Sequence, residues 1–481
     1  DGLHGAARYG GVVGGVAYRI WSQWAGHGES LADPDTGADD AWDSQTHGAR
    51  LDWTRDGDVV MFQGAATLAS LHGLFPSPTG PVPAVKPLLR DGEQTREYSA
   101  LGRWTHRRPG GSSLQLQSSI DFRRNYDLVN PRQLTTDIDA QYHVTAGSRH
   151  DLVAGAGYRF LDERVDEGFV FTIIPGHVRE KVWSAFAQDQ IALGGRVQLS
   201  LGTKVEHDTY AGWGVQPTAR LMWALVPRRQ QLWAAVSRAL RTPSLSDVAG
   251  RYNYTSFIGQ GELPVVIGAL GSGAFESEEV VDTEAGYRLE IGGAASLDVT
   301  AFRAQYDRLK TSEPLAPRLE LTPAPAHLLI PVQFGNLLEA TTTGVEIAMH
   351  VTPLGWWRLD GGVATFHLTP HAAASSGDAA AAVFDGNAPH VQWQARSGFL
   401  VGPRVGLDAM LFYTGALRAL GVGAYTRADV NLDVPTTRRT TLSLVGQNLL
   451  DTRHAEYGGI GALVRPTLIP RSVRVQLAWR F

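Results

Sequence analysis

The sequence predicts an all-β chain folded as a transmembrane, antiparallel, up-and-down barrel. Three observations carry this: the alternation in its last strand, the recurrence of that alternation along the chain, and the regular exchange of short and long connections. In RSVRVQLAWRF (471–481), Val473, Val475, Leu477, Trp479 and Phe481 occupy every second position, with Ser472, Arg474, Gln476, Ala478 and Arg480 between them. A period of two places the first set on one face of a strand and the second on the other. An apolar face opposite an Arg/Gln/Arg face suits a barrel with lipid outside and a wet lumen inside.

The same pattern returns upstream. Leu114, Leu116, Ile120 and Phe122 oppose Gln115, Gln117 and Asp121. Leu134, Ile138, Ala140, Tyr142 and Val144 oppose Asp137, Asp139, Gln141 and His143. Val197, Leu199 and Leu201 oppose Gln198, Ser200, Lys204 and Glu206; Val345, Ile347 and Met349 oppose Glu346 and His350; Ala428, Val430 and Leu432 oppose Arg427, Asp429 and Asn431. Segments 182–191 and 232–240 carry bulky apolar residues on both faces, so parity leaves them unoriented.

Short turns rich in Gly, Pro and Asp fall at 10–15, 55–58, 108–111, 145–149, 193–195, 226–229, 290–293, 352–356, 401–404 and 434–439. These residues supply the backbone angles of tight hairpins. Much longer connections lie between many of them, at 27–45, 70–95, 163–178, 241–276, 310–340, 370–387 and 452–470. Outer-membrane barrels have short periplasmic turns and long extracellular loops. With the last strand running down, the short set is periplasmic and about twenty-one strands are expected, the first near 3–10.

Composition agrees. There are 481 residues with a formal net charge of −5, so nothing favours nucleic acid. No apolar run of about eighteen residues exists to form a membrane helix, which leaves strands as the spanning element. The 54 glycines suit strands and turns, and the absence of Cys excludes disulfides and thiolate metal sites. The chain opens at Asp1-Gly2 without Met or an apolar leader, so any secretory signal is expected to lie outside it.

Longer segments resemble a known family. SRALRTPSLSD (237–247) is similar to the segment before the longest extracellular loop of TonB-dependent outer-membrane receptors, and FESEEVVDTEAGYRLE (275–290) to the segment after it. WSAFAQDQIAL (183–193) with LGTKVEHD (201–208), TTTGVEIA (341–348), and LSLVGQNLLDTRHAEYGG (442–459) with IPRSVRVQLAWRF (469–481) resemble further family strands, the ending most specifically. The resemblance implies a 22-stranded barrel closed by an N-terminal plug and driven by the TonB–ExbB–ExbD complex. It implies uptake of a scarce nutrient, foremost a ferric siderophore or similar metal chelate, and no enzymatic activity. Residues 1–481 are expected to be a single barrel domain, monomeric in outer-membrane lipid and lipopolysaccharide, without the plug and the first strand. Val475, Leu477, Trp479 and Phe481 resemble the signal read by the barrel assembly machinery. A passive porin-like channel is the alternative; a soluble Trp-rich propeller would need a repeat of about 40–50 residues that is not present.

Several residues are candidate sites. Arg251, Tyr252 and Tyr254 in the loop 241–276 offer charge and stacking to an anionic chelate; the bland reading is an aromatic loop packed on its neighbours. Arg123, Asn125 and Tyr126 lie at an upper strand end, where Arg123 has lumen parity and Asp137 or Asp139 would pair with it. Trp42 lies in the acidic segment DPDTGADDAWD (33–43). Asp33, Asp35 and Asp39 in it sit at alternating positions suited to calcium, although the bidentate Glu of a helix–loop–helix calcium site is missing. No covalent cofactor is implied. With no His between 208 and 326, a haem site of the family's kind is disfavoured. His367 and His371 are four apart but at a strand end, so helical zinc spacing does not apply and they read as ordinary loop residues.

Overall fold

The computed structural model describes residues 2–32, 36–38, 40–75, 80–83, 88–126, 130–402, 404–458 and 466–479. One 25-stranded sheet dominates. Four of its strands are short extracellular pieces, Phe171–Ile173, Gly250–Ile258, Pro264–Leu270 and Arg318–Glu320. The other 21 form an antiparallel meander from Gly2–Val13 to Ser472–Trp479, each paired with the next in sequence. All ten short turns expected from Gly, Pro and Asp are present on one side. Gly14 and Gly15 (φ 57° and 81°) turn the first hairpin, a conformation that costs a side chain dearly.

Registers confirm the two faces. Val475 lies opposite Leu444, and Leu116 opposite Trp104 and Ala140. Leu116, Ile138, Leu201, Leu221, Val345, Ile347, Met349, Leu444 and Val475 are all exposed on the outer face. Bare apolar residues in a continuous band require a non-aqueous surround, because soluble monomers do not leave patches of that size uncovered. Aromatic side chains flank the band: Tyr158, Trp183, Trp213, Trp393 and Tyr413 toward the long loops, and Trp104, Trp223, Trp357 and Phe399 toward the short turns. Such belts mark the two membrane interfaces.

The neighbours also orient the two ambiguous segments. Leu232 and Val236 pair with Trp223 and Ala219 and face outward, so Trp233 points into the lumen, under the guanidinium of Arg220 at 4.6 Å. Trp183 lies beside Tyr158 outside, at 4.2 Å, which turns Phe186 inward. Lumenal aromatics lie across glycines of adjacent strands: Trp21 over Gly48, Phe186 over Gly155, Trp233 over Gly286 and Phe302 over Gly344. A Cβ at any of these glycines would overlap the ring.

The lumen is polar, and several of its charges are paired. Arg159 donates to Asp137 at 2.7 Å, Arg288 pairs with Asp298 at 2.6 Å, and Arg358 and Arg396 share Asp408 at 3.3 and 3.0 Å. Asp137 is therefore taken by Arg159 rather than by Arg123, because Arg123 lies opposite Glu97 and Gln133 in register, further up the barrel.

Two expectations about connections change. Residues 70–75, 88–95 and most of 310–340 are strand: Asp58–Phe75 pairs with Leu88–Arg107, and Ala295–Pro314 with His327–Leu354. Conversely, 209–211 is a tight extracellular turn. There Asp208 Oδ1 accepts the N–H groups of Tyr210 and Ala211 at 2.7 and 3.0 Å.

Among the described residues, Gly2–Val13 and Ser472–Trp479 are the edges of the sheet and do not pair with each other. Above them, Leu31–Ala32 pairs with Thr467–Pro470 in a separate four-stranded sheet with Thr36–Gly37 and Arg453–Ala455. This ties the first and last extracellular connections together.

Candidate functional site

Among the described residues, a cluster of fully buried side chains lies in an extracellular cap built from the connection 242–277 and the start of strand His327–Leu354. The connection begins with a helix, Leu245–Ala249, whose start is written in the sequence. Ser244 caps it, and Asp247, three residues on, returns the bond: Ser244 Oγ accepts the Asp247 N–H at 3.3 Å and Asp247 Oδ2 accepts the Ser244 N–H at 3.0 Å. The chain continues as strand Gly250–Ile258, which pairs with Phe171–Ile173 on one side and with Pro264–Leu270 on the other. Pro264–Leu270 then runs parallel to the start of His327–Leu354. Val266, Ala269, Leu329 and His327 are fully buried between these strands, with Phe275 and Phe334 nearby.

Charge fixes the cap to the barrel. Asp247 is buried and accepts from Lys310 Nζ at 2.7 Å and Arg241 Nη1 at 3.2 Å, while Arg241 also pairs with Glu278. Burial alone would raise the Asp247 carboxyl; hydrogen bonds from Lys310 and Ser244, and the Lys310 charge, outweigh it and hold it at about 2. Burial opposes ionisation of Glu320 too, yet Arg251 and then Arg318 keep it below the usual range.

The candidate residues fall in different places. Arg251 lies within the cap, paired to Glu320 at 2.8 Å and bonded to Asn253 at 3.3 Å, so its charge is already engaged. Tyr252 packs on Phe171 with ring centroids 4.5 Å apart and faces Phe334 at 6.3 Å. Tyr254 stacks on Tyr252 at 6.4 Å and is the exposed end of this row. Burial pushes both phenols up, so they stay protonated and offer ring faces and O–H donors rather than phenolate ligands.

Arg123 and Tyr126 are three apart on one strand and so project from opposite faces. Tyr126 sits outside beneath two guanidiniums, Arg124 at 4.4 Å and Arg96 at 5.0 Å. Trp42 begins strand Trp42–Arg55, stacked on His27 at 6.5 Å and exposed. Asp33, Asp35, Asp39 and Phe481 lie outside the described residues. The structure adds Asp247, Lys310, Glu320 and Phe334 to the site. The capping pattern Ser-x-x-Asp was the readable signal for Asp247; the other three join through long-range pairing.

These features define a class: a large transmembrane β-barrel with a folded extracellular cap. Residues 4–449 match the family model described as TonB dependent receptor-like, beta-barrel. The chain belongs to that family and is an outer-membrane receptor barrel, not an enzyme. Solved structures agree in fold. The siderophore receptor PirA from Acinetobacter baumannii superposes with a TM-score of 0.78 at 12% identity, covering all of this chain and 78% of that one. A mutant of the ferric enterobactin receptor PfeA from Pseudomonas aeruginosa gives 0.76 at 14% identity, with the same coverage. The FrpB iron transporter from Neisseria meningitidis gives 0.74 at 11%, covering all of this chain and 79% of that one. No curated protein sequence matches the chain.

Proposed function

We propose that the barrel takes up a metal chelate, a ferric siderophore foremost, with TonB–ExbB–ExbD driving release through a plug in the lumen. The observation that carries this reading is the cap. A passive channel has no use for a buried, ion-paired subdomain that ends in a stacked aromatic row. Tyr254, stacked on Tyr252, offers an exposed ring face to an aromatic chelator, and Arg318, half-exposed and sharing the one Glu320 carboxylate with Arg251, leaves one positive charge in excess there. The structural likeness to proteins described as siderophore receptors supports the same class of cargo. In this reading the barrel works as a monomer in outer-membrane lipid and lipopolysaccharide, inserted by the barrel assembly machinery. The acidic segment with Asp33, Asp35 and Asp39 is proposed to bind calcium at most as an accessory.

The test is growth of a receptor-deleted strain, carrying the native gene, on a panel of ferric chelates. TonB-dependent growth on one of them is expected, and Tyr254→Ala should reduce it while leaving barrel insertion intact. TonB-independent permeation with a large steady conductance would instead establish a porin-like channel.

A further inference from the structure

We propose that His367, Asp385 and His390 form a site for a divalent transition metal, zinc first, which clips the extracellular connection 373–389 to the barrel rim. Asp385 and His390 are five residues apart, but His367 comes from the preceding strand, so no short motif links all three. His367 is near the upper end of strand Trp357–Ala372, opposite Thr343 on the outward parity. His390 immediately precedes strand Val391–Val401, and its carbonyl accepts the Phe366 N–H at 2.9 Å, which holds it beside His367. Asp385 rides on the 3-10 turn Ala381–Asn387, which packs against strand Trp357–Ala372 and against a second such turn, Arg418–Leu420.

One donor atom from each residue lies within 4.8 Å of the other two, and no other group of three such residues meets that criterion among the described residues. Asp385 holds His390 Nε2 at 3.1 and 3.2 Å. That pair alone leaves His367 unexplained. The His367 ring meets the His390 ring edge to face, with centroids 5.7 Å apart, and makes no hydrogen bond among the described residues. Two imidazoles drawn together around one carboxylate are an arrangement that a cation rewards.

The donor set selects the metal. Ligands about 2.0–2.1 Å from a tetrahedral zinc ion are roughly 3.4 Å apart, so side-chain rotation of about an ångström closes the triad. Imidazole nitrogen suits zinc, nickel, copper and iron, whereas calcium and magnesium require oxygen ligands. Three protein ligands leave a fourth position for water. The consequence is mechanical: two ligands flank the connection, and the third lies within it.

Isothermal titration of ZnCl2 into the tagless, metal-stripped full chain in detergent tests the proposal. One saturable equivalent of zinc is expected, unaffected by excess calcium and lost in His367→Ala and His390→Ala. Asp385→Asn should weaken it, and His371→Ala should leave it intact. Zinc should also slow limited proteolysis within 373–389 in the wild type but not in His367→Ala. Should an alanine variant fail the heat-modifiable mobility check for folding, His367→Gln replaces it. Absence of saturable zinc binding, or binding that survives His367→Ala or its Gln replacement, overturns the proposal.

Discussion

Neutralising Asp247 should loosen the cap and leave the barrel untouched. The carboxyl is 2% exposed and carries two cations and a helix cap. Its folded value of about 2 lies nearly two units below the usual carboxylate near 3.9, which corresponds to about 2–3 kcal/mol of cap stability at neutral pH. Asp247→Asn keeps the shape but removes the charge. A fully buried pair broken this way costs about 3–5 kcal/mol. Lys310 and Arg241 are 35% and 49% exposed and regain water, which brings the figure back toward about 2 kcal/mol. The folded value is depressed, so the stabilisation is present above about pH 4 and is lost as pH falls toward 2.

Hydrogen exchange with mass analysis reads this directly, because caps open locally without global unfolding. At pH 7, peptides from 245–258 should exchange roughly 30-fold faster in Asp247→Asn, the factor that about 2 kcal/mol represents. Peptides from strands Val197–Asp208 and Gly212–Val226 should not change. Between pH 4 and 2 the wild-type cap should lose protection, after correction for intrinsic rates, by more than the variant, in which only Glu320 still titrates below the usual range. A less than threefold change at 245–258, or equal acceleration in the barrel strands, would refute the idea that this charge network holds the cap.

Three further outcomes follow from the faces and contacts. Val475→Arg, on the lipid face, should cost on the order of 2–4 kcal/mol in urea unfolding from lipid vesicles, whereas Arg474→Gln on the lumen face should cost under about 1 kcal/mol. Gly286→Ala should destabilise the barrel by about 1–3 kcal/mol in the same assay, because the new methyl meets the Trp233 indole, and Trp233→Leu should relieve it. Glu320→Gln leaves Arg251 half-buried without its partner, and should raise cap exchange around 250–258 by roughly tenfold with no change in the melting of the barrel.

The extent to which the sequence was legible follows the range of the interactions. Strand faces and turn positions depend on residues two to four apart, so alternation in 113–122 or 471–481 and the Gly/Asp turns placed twenty-one strands and their direction. Arg123 and Tyr126 stand as one upper-strand candidate in the sequence, yet their spacing of three puts them on opposite faces. Segments 182–191 and 232–240 were not readable, because apolar side chains on both faces carry no parity; only pairing with Tyr158 and Trp223 oriented them.

The last strand was readable as a lipid-facing strand from its own residues, since a period of two needs no partner. What that strand pairs with, and what stands over the lumen it borders, came only from tertiary structure. Strand Pro264–Leu270 finds its parallel partner 63 residues away, Arg251 finds Glu320 69 residues away, and His367 meets Asp385 and His390 only once the connection folds back. Local periodicity fixes which way a side chain faces; closing a long loop and choosing a partner are decided by burial and charge compensation that no short window of sequence contains.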